Sequence, residues 1–262
     1  MYIGKGLKRF LGERLICMSF SYPFMSYQTI QSNLAACADT AKKEVYQRFF
    51  KTGKGEYGEG DSFIGVTIPQ QRIIARKHID ATAQDIQQLL ASPIHEHRMT
   101  GLLILVYQYK ESTTKKQHTA IVNTYLKNLS GVNNWDLVDV SAYALLGSYM
   151  VTYRDKTEIL KKYVVSKNVW KRRIAIVATY AYIKNGNIKP TVEIARLLRD
   201  DTHDLIQKAV GWMLREAWKQ QPALVSVYIR KHAAQMPRTM LRYAIERFPE
   251  KQRKEILERS LN

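Results

Sequence analysis

From about residue 84 onward, the apolar residues of this chain recur at helical spacing, and this periodicity restricts the possible folds more than any other feature. Residues three and four apart lie on one face of an α-helix. Examples are Ile86, Leu89 and Leu90, and Ile174, Ile176, Val177 and Tyr180. The alternation typical of strands is scarce, and the seven prolines stand where helices can start, end or connect. The sequence therefore predicts an all-helical protein.

Helix-like segments also repeat along the chain. Each opens with polar or capping residues and continues into an apolar helix, and successive starts are about 34–41 residues apart. This is the range of solenoids built from paired helices. The starts lie near Ser92, Asn133, Lys167, His203 and Gln235. A helical-repeat solenoid is therefore expected, in which equivalent positions of successive repeats share one surface.

One irregular stretch interrupts the helical pattern. Residues 52–61 contain four glycines and separate a predicted first helix, around residues 27–50, from the remainder of the chain. Glycine-rich loops can cradle phosphates, but this one lacks the Gly-Lys-Ser/Thr ending of a nucleotide-binding loop. A structural connection is the favoured interpretation.

The charge balance indicates the class of partner. The chain has 41 Lys and Arg against 23 Asp and Glu, a formal net charge of +18, spread over its whole length. A polyanion is therefore expected, with nucleic acid favoured over a membrane surface or an acidic protein. Alignment of the repeats defines a column of equivalent positions near the start of each second helix, occupied by Arg98, Asp139, Arg173, Lys208 and Arg242. The four cations of this column suit a phosphate backbone.

Disulfide, metal and membrane chemistry have little support. Cys17 and Cys37 are too few for a disulfide scaffold and lack metal-ligand spacing. His95 and His97 are too close together for the usual helical metal site. No run approaches the roughly 20 apolar residues of a transmembrane helix. We expect no metal, no cofactor and a cytoplasmic protein.

The N-terminal residues stand apart from the repeats. Residues 1–24 begin with basic side chains and continue into a short apolar stretch that has no small-residue cleavage site after it, which disfavours secretion. They are interpreted as an N-terminal extension or an over-called start. The remainder, residues 25–262, is expected to form a single domain.

Asp139 is the exception in the cationic column, and two interpretations remain open. An acid among bases is commonly a simple ion pair, here with Arg173 or Lys208. Alternatively, a cation forms on the ligand. Breaking the glycosidic bond of a nucleoside gives the sugar oxocarbenium character, which a carboxylate stabilises while it positions water. A place in the first turns of a helix favours an ionised Asp139, because the helix dipole stabilises negative charge there.

Two tryptophans flank the same column. Trp135 lies one helical turn before Asp139, and Trp212 lies one turn after Lys208, with Arg215 three residues further on. Core packing explains any single Trp well. Two indoles beside a cationic column also suit a charged alkylated base or a sugar. The tryptophans interpreted as core or rim residues are Trp170 and Trp218.

Several motifs together carry a family resemblance. They are Trp135-Asp-Leu-Val-Asp139 with Ser141-Ala142, residues 170–177, 211–216 and 65–69, and residues 49–53 with the loop to Asp61. As a set, and over most of residues 40–250, they resemble the AlkD-like DNA alkylation repair family. The fold of that family is a solenoid of HEAT-like repeats. The resemblance therefore implies an all-α, right-handed helical-repeat solenoid, HEAT-like or ARM-like, with a concave basic face.

The resemblance also implies roles for individual residues. Asp139 would be the catalytic carboxylate, and Trp135 and Trp212 would be the indoles around the lesion. Arg173 would be a cation close to the DNA backbone near the lesion. The residues assigned to the DNA backbone, from the family match or from the cationic column, are Arg98, Lys208 and Arg215. Members of the family remove N3- and N7-alkylated purines, whose cationic base departs neutral, so no general acid is required. They also leave the damaged nucleotide largely unflipped.

Two functions follow as hypotheses. The first is a monomeric, metal-free DNA glycosylase that hydrolyses the N-glycosidic bond of cationic alkylpurines in double-stranded DNA. The alternative is a helical-repeat scaffold that binds nucleic acid or protein without chemistry. In the second case Asp139 would be dispensable or even inhibitory, and the affinity would be governed by four cations, namely Arg98, Arg173, Lys208 and Arg215.

Overall fold

The computed structural model describes residues 27–154 and 157–259, and these residues are predominantly helical. The helices are α1 Tyr27–Ala35, α2 Thr40–Phe49, α3 Ile68–Lys77, α4 Ala83–Leu90, α5 His95–Glu111, α6 Lys115–Lys127, α7 Trp135–Ser141, α8 Ser148–Tyr153, α9 Glu158–Val164, α10 Val169–Val177, α11 Tyr180–Lys184, α12 Lys189–Leu197, α13 Asp204–Gln220, α14 Pro222–His232, α15 Arg238–Ala244 and α16 Glu250–Arg259. The described residues form no named strand, which confirms the predicted all-helical class. Residues 1–24, interpreted above as an extension, lie outside the described ranges.

The predicted first helix is wrong in its extent. Two helices, α1 and α2, replace the single helix expected around residues 27–50. The break falls where Asp39 adopts an extended backbone and accepts a hydrogen bond from the backbone N–H of Lys42. Asp is a preferred N-cap residue, because its carboxylate satisfies a backbone N–H that the first turn leaves unpaired. The chain therefore starts a new helix at Thr40.

Five helices pack in chain order and form what we call the central row. In this row α5 contacts α7, α7 contacts α10, α10 contacts α13, and α13 contacts α15. Each begins a few residues after one of the five predicted segment starts, so those starts are confirmed. Other helices cover the row, with α4 against α5, α9 against α10, and α12 and α14 against α13. One apolar cluster runs through this packing, from Ile30 to Ile256.

The start of α7 is set by a buried cap. The Asn134 side chain is fully buried and accepts a hydrogen bond from the Trp135 N–H at 2.8 Å. One turn after Asp139 the helix widens into a π-helical segment, Tyr143–Gly147, and then continues as α8. Single π-turns inside helices are frequent at functional sites. Trp135 and Asp139 therefore lie on a rigid helix that precedes an irregular turn.

Gly147 allows this helix to approach its neighbour closely. A Cβ at residue 147 would lie 2.3 Å from the carbonyl oxygen of Ala178 and 2.9 Å from the Cβ of Ala181. Relieving this clash would require the backbone at Ala178 to shift, which costs more than a side-chain rotation. Gly147 thereby keeps the π-helical segment against the end of α10, the helix that carries Arg173.

We expect Gly147→Ala to destabilise the fold by about 1–3 kcal/mol, because the added methyl group overpacks a contact with backbone. The free energy of unfolding from urea titration measures this. Ser148→Ala is the matched control, since it adds no atoms at the next residue and removes only the part-buried hydrogen bond from the Ser148 hydroxyl to the Tyr143 carbonyl oxygen. A smaller effect is expected from it. Equal stability of the two variants would contradict the close approach.

None of the helices in the described ranges combines the length and apolar character needed to cross a bilayer.

Candidate active site

Most of the predicted site residues line one cleft of about 570 Å³. Helix α7 contributes Trp135 and Asp139, four residues apart on one face, and α10 contributes Arg173. Residues of α13 at helical spacing form the opposite wall. The remaining lining residues are Leu205, Lys208, Trp212, Arg215, Phe49, Tyr57 and Tyr243. The tertiary structure thus brings six of the seven predicted site residues to one place.

Asp139 and Arg173 form a bidentate ion pair. The Arg173 Nε donates to Asp139 Oδ1 at 2.9 Å, and its Nη2 donates to Oδ2 at 2.8 Å. The Nη1 of Arg173 donates to the Leu205 carbonyl oxygen at 2.6 Å, so the guanidinium is held from two sides. Of the two partners considered for Asp139, the structure selects Arg173. The Asp139 side chain remains 21% exposed, toward the cleft that it lines.

The pKa of Asp139 differs from the sequence expectation. The helix dipole suggested that Asp139 would be held as an anion. Burial instead raises the pKa of the Asp139 carboxyl above its ordinary value, the Arg173 guanidinium opposes that rise, and the nearby Asp136 adds to it. A carboxylate with a raised pKa accepts a proton more readily than an ordinary aspartate. The rise opposes the effect expected of the helix dipole, whereas the bidentate contact with Arg173 favours the ionised carboxylate.

The two indoles of the cleft have different surroundings. Trp135 stacks on Phe50, with ring centroids 5.4 Å apart and planes 21° apart, and Phe49 meets its edge at 5.9 Å. Trp212 packs against Tyr180, with a centroid distance of 6.2 Å. Both indoles are only partly buried and both line the cleft. Each therefore combines a packing role with a surface that a ligand can contact.

The cations on the α13 wall have acidic partners. Lys208 pairs with Asp204 at 2.6 Å, one turn earlier on the same helix. Arg215 pairs with Glu246 and lies 3.6 Å from Glu216. The Lys208–Asp204 pair is partly exposed, and such pairs stabilise a fold little. A phosphate group can therefore displace Asp204 at small cost, whereas Arg215 is only 18% exposed.

Arg98 does not lie in the cleft, which corrects its place in the predicted interface. Its side chain is buried and donates from Nη2 to Asp61 Oδ1 at 2.6 Å and from Nη1 to the Ser92 carbonyl oxygen at 2.8 Å. A guanidinium in this position is not available to a DNA backbone. Arg242, the last cation of the predicted column, is exposed but is not among the lining residues.

Asp61 is the centre of a buried cluster at the N-terminal end of α7. Besides Arg98 it accepts hydrogen bonds from the side-chain amides of Asn134 at 3.1 Å and Asn133 at 3.4 Å. His95 bridges this carboxylate to Asp136, with Nδ1 3.1 Å from Asp61 and Nε2 2.9 Å from Asp136. The cluster therefore joins the end of the glycine-rich loop, the start of α5 and the start of α7.

The electrostatics of the cluster are strongly coupled. Burial raises the pKa of Asp61, but the hydrogen bond from His95 and the charge of Arg98 outweigh it and lower the pKa below its ordinary value. Burial lowers the pKa of His95, yet Asp136 and Asp61 raise it to about 9. His95 is therefore an imidazolium at neutral pH. Asp61, the last residue of the glycine-rich stretch, is part of this buried cluster, which is consistent with a structural connection.

Sequence reasoning missed the cluster and part of the cleft lining. Asp61 and His95 are 34 residues apart, and no short-range pattern connects them. Phe49 and Tyr57 lie in a family-like segment, which is a signal that could have identified them, whereas Tyr243 has none. Trp170 is buried and packs against Tyr57, as expected of a core or rim residue.

Trp218 also occupies a packing position. It stacks on Phe248 at 4.8 Å, and its indole N–H donates to Ser226 Oγ at 3.0 Å. This agrees with the expectation for a core or rim residue. Within the described ranges, no group of three or more His, Cys, Asp and Glu side chains is arranged to hold a metal ion.

Comparison with known proteins identifies the chain's relatives. Residues 30–248 match the family model described as DNA alkylation repair enzyme. A solved structure described as a predicted DNA alkylation repair enzyme from Enterococcus faecalis aligns with a TM-score of 0.64 and 15% sequence identity. The alignment covers 81% of this chain and 97% of that chain, and at this identity it shows a shared fold. No curated protein matches the chain.

Proposed function

Because this chain belongs to the DNA alkylation repair enzyme family, we propose that it is a DNA glycosylase acting on cationic N3- and N7-alkylated purines in duplex DNA. The observation that carries the proposal is the position of Asp139, a carboxylate with a raised pKa in a cleft between two indoles and beside three cations. An acid beside a phosphate backbone weakens binding. The ion pair with Arg173 holds Asp139 in place, and the 21% of its side chain that remains exposed toward the cleft leaves it open to a ligand.

The reaction uses Asp139 opposite the deoxyribose. The C1′–N bond of an alkylated purine breaks with its electron pair going to the base, which loses its positive charge and leaves neutral. The sugar carries oxocarbenium character, which the carboxylate stabilises electrostatically. Water then forms a C1′–O bond, and its proton passes to Asp139 and on to solvent. The products are a free base and an abasic site.

Arg173 is a positioning residue for this carboxylate. Its two hydrogen bonds fix the plane of the Asp139 side chain, and the Leu205 carbonyl fixes the guanidinium in turn. A preorganised carboxylate needs little rearrangement as positive charge develops on the sugar. The bound base remains in or near the stack, since the group that Asp139 meets is the sugar.

The remaining side chains of the cleft hold the DNA. Trp135 and Trp212 contact the cationic base or its sugar through their ring faces. Lys208 and Arg215 exchange their carboxylate partners for phosphate oxygens, which makes binding sensitive to salt. Arg98 is not part of this interface, because it is buried against Asp61.

The test is single-turnover release of free base from methylated duplex DNA, with enzyme in excess and EDTA present. We expect 7-methylguanine and 3-methyladenine to be released as free bases, leaving abasic sites without strand cleavage. Base release separates a glycosylase from a binding scaffold. Duplex binding without any base release would contradict the proposal and favour the non-catalytic scaffold.

A further inference from the structure

Three cations gather on α3 and α5, outside the candidate active site. Arg72 and Arg76 lie one turn apart on α3, and Lys110 lies in the last turn of α5. All three side chains are exposed, and they surround the ring of Tyr107, which is buried. We call Arg72, Arg76 and Lys110 the flanking cations.

The Tyr107 ring keeps the flanking cations close together. The guanidinium carbon of Arg76 lies 4.6 Å from the centroid of this ring, and Lys110 Nζ lies 5.9 Å from the same centroid. Arg72 Nη1 donates to the Tyr107 hydroxyl oxygen at 3.5 Å. Contact with an aromatic face holds a cation in place without neutralising its charge. Three like charges are therefore fixed around one side chain.

The flanking cations lack the acidic partners that the cations of the cleft have. Lys208 pairs with Asp204, and Arg215 pairs with Glu246. Within residues 27–154 and 157–259, by contrast, none of the flanking cations takes part in an ion pair. Like charges without a counter-charge repel one another, and an anion bound from outside relieves this repulsion.

The order of the helices separates the flanking cations from those of α13. Helix α3 packs against α5, and α5, α7, α10 and α13 follow one another in the central row. Lys208 and Arg215 lie on α13, after the helix that carries Asp139, whereas the flanking cations lie on the two helices before it. A duplex centred on Asp139 therefore has exposed cations in both directions along the row.

The flanking cations are also within reach of a duplex in the cleft. Ile68 of α3 and Met99 of α5 line a pocket that shares part of its lining with the catalytic cleft. Arg76 and Tyr107 lie just over two helical turns further along the same two helices, or about 12 Å. Each strand of duplex DNA carries one phosphate per 3.4 Å of helix axis, so this distance corresponds to about three to four nucleotides.

We infer that the flanking cations bind phosphate groups of duplex DNA that extends beyond the catalytic cleft on the α5 side. The choice of DNA among polyanions rests on the proposed function. Arg98 is the cation that the sequence predicted for α5, and its burial removes it from the surface. Arg72 and Arg76 supply exposed guanidinium groups in its place, and a guanidinium can donate two parallel hydrogen bonds to one phosphate.

The salt dependence of duplex binding tests this inference. Fluorescence anisotropy gives the affinity for an undamaged, labelled duplex long enough to pass the flanking cations, and the slope of log affinity against log salt reports the number of phosphate contacts. Arg72→Gln/Arg76→Gln is expected to reduce this slope by about two units and to weaken binding about tenfold or more at about 0.1 M salt. Gln has a helix propensity close to that of Arg, so α3 is preserved.

Two further variants separate a backbone contact from other effects. Arg196→Gln/Arg230→Gln makes the same change in net charge at exposed residues of α12 and α14, and is expected to keep the wild-type slope. Arg72→Lys/Arg76→Lys retains both charges and should keep most of the slope as well. Equal slopes for the two glutamine variants would overturn the inference. A lysine variant that lost as much slope as Arg72→Gln/Arg76→Gln would also overturn it, because charge would not be the cause.

The outcomes are distinguishable from those that test the proposed function. Base release by the wild type, together with equal slopes for the two glutamine variants, would remove the role of the flanking cations alone. The expected loss of slope without any base release would remove the glycosylase proposal and leave these cations as part of a DNA-binding surface.

Discussion

Asp139→Asn is expected to slow the single-turnover release of 7-methylguanine by about 10²–10⁴-fold, the range typical for loss of a catalytic base or of a charge-stabilising group. Asn has the same size as Asp, and its side-chain oxygen can still accept a hydrogen bond from Arg173. What the variant loses is the negative charge opposite the developing oxocarbenium ion and the ability to take a proton from water. Rates measured with enzyme in excess report this chemical step.

Duplex binding separates this effect from a loss of affinity for DNA. Affinity for duplex DNA should be unchanged or tighter in Asp139→Asn, because an acid has been removed from a cationic cleft. Asp204→Asn is the matched control. It also removes one carboxylate near the cleft, the partner of Lys208, but from a side chain that is 58% exposed and does not line the cleft. Release by Asp139→Asn at the rate of Asp204→Asn would contradict the assigned mechanism.

Asp61→Ala is expected to destabilise the protein by about 3–5 kcal/mol, the cost of removing one partner from a buried ion pair. Arg98 would keep only the Ser92 carbonyl oxygen, and His95 would keep only Asp136. The side-chain amide of Asn134, whose residue caps α7, would also lose its acceptor. The free energy of unfolding from urea titration, followed by circular dichroism, measures the loss.

An exposed ion pair gives the comparison for Asp61. Asp200 pairs with Arg199 at 3.0 Å but is 76% exposed, so Asp200→Ala should leave the unfolding free energy close to that of the wild type. The two variants make the same chemical change in different surroundings. If Asp61→Ala unfolded at the same urea concentration as Asp200→Ala, the contacts of Asp61 would not contribute the expected free energy of unfolding.

Local signals in the sequence predicted the helices well. The segments starting near Asn133 and His203 lead into α7 and α13, because a polar capping residue there precedes an apolar pattern at helical spacing. The single helix expected around residues 27–50 failed for a local reason too. Asp39 caps a new helix, although the residues on both sides of it are compatible with one continuous helix.

Part of the site could likewise be predicted from the spacing of residues along single helices. Trp135 and Asp139 share a face because they are four residues apart on one helix, and Lys208, Trp212 and Arg215 share a face of α13 for the same reason. Arg98 had the same apparent position in its repeat as Arg173. The structure nevertheless buries it against Asp61, which lies 37 residues earlier in the chain.

The sequence by itself determined most of the helices, the shared faces of α7 and α13 and the excess of positive charge, since each depends on neighbours within a few residues or on composition alone. Only the tertiary structure decided which partner Asp139 takes, why its pKa rises, and that Arg98 is buried against Asp61. Those properties depend on burial and on contacts between helices that are distant in the chain. No short-range pattern encodes which helices pack together, so the site's electrostatics follow from the packing.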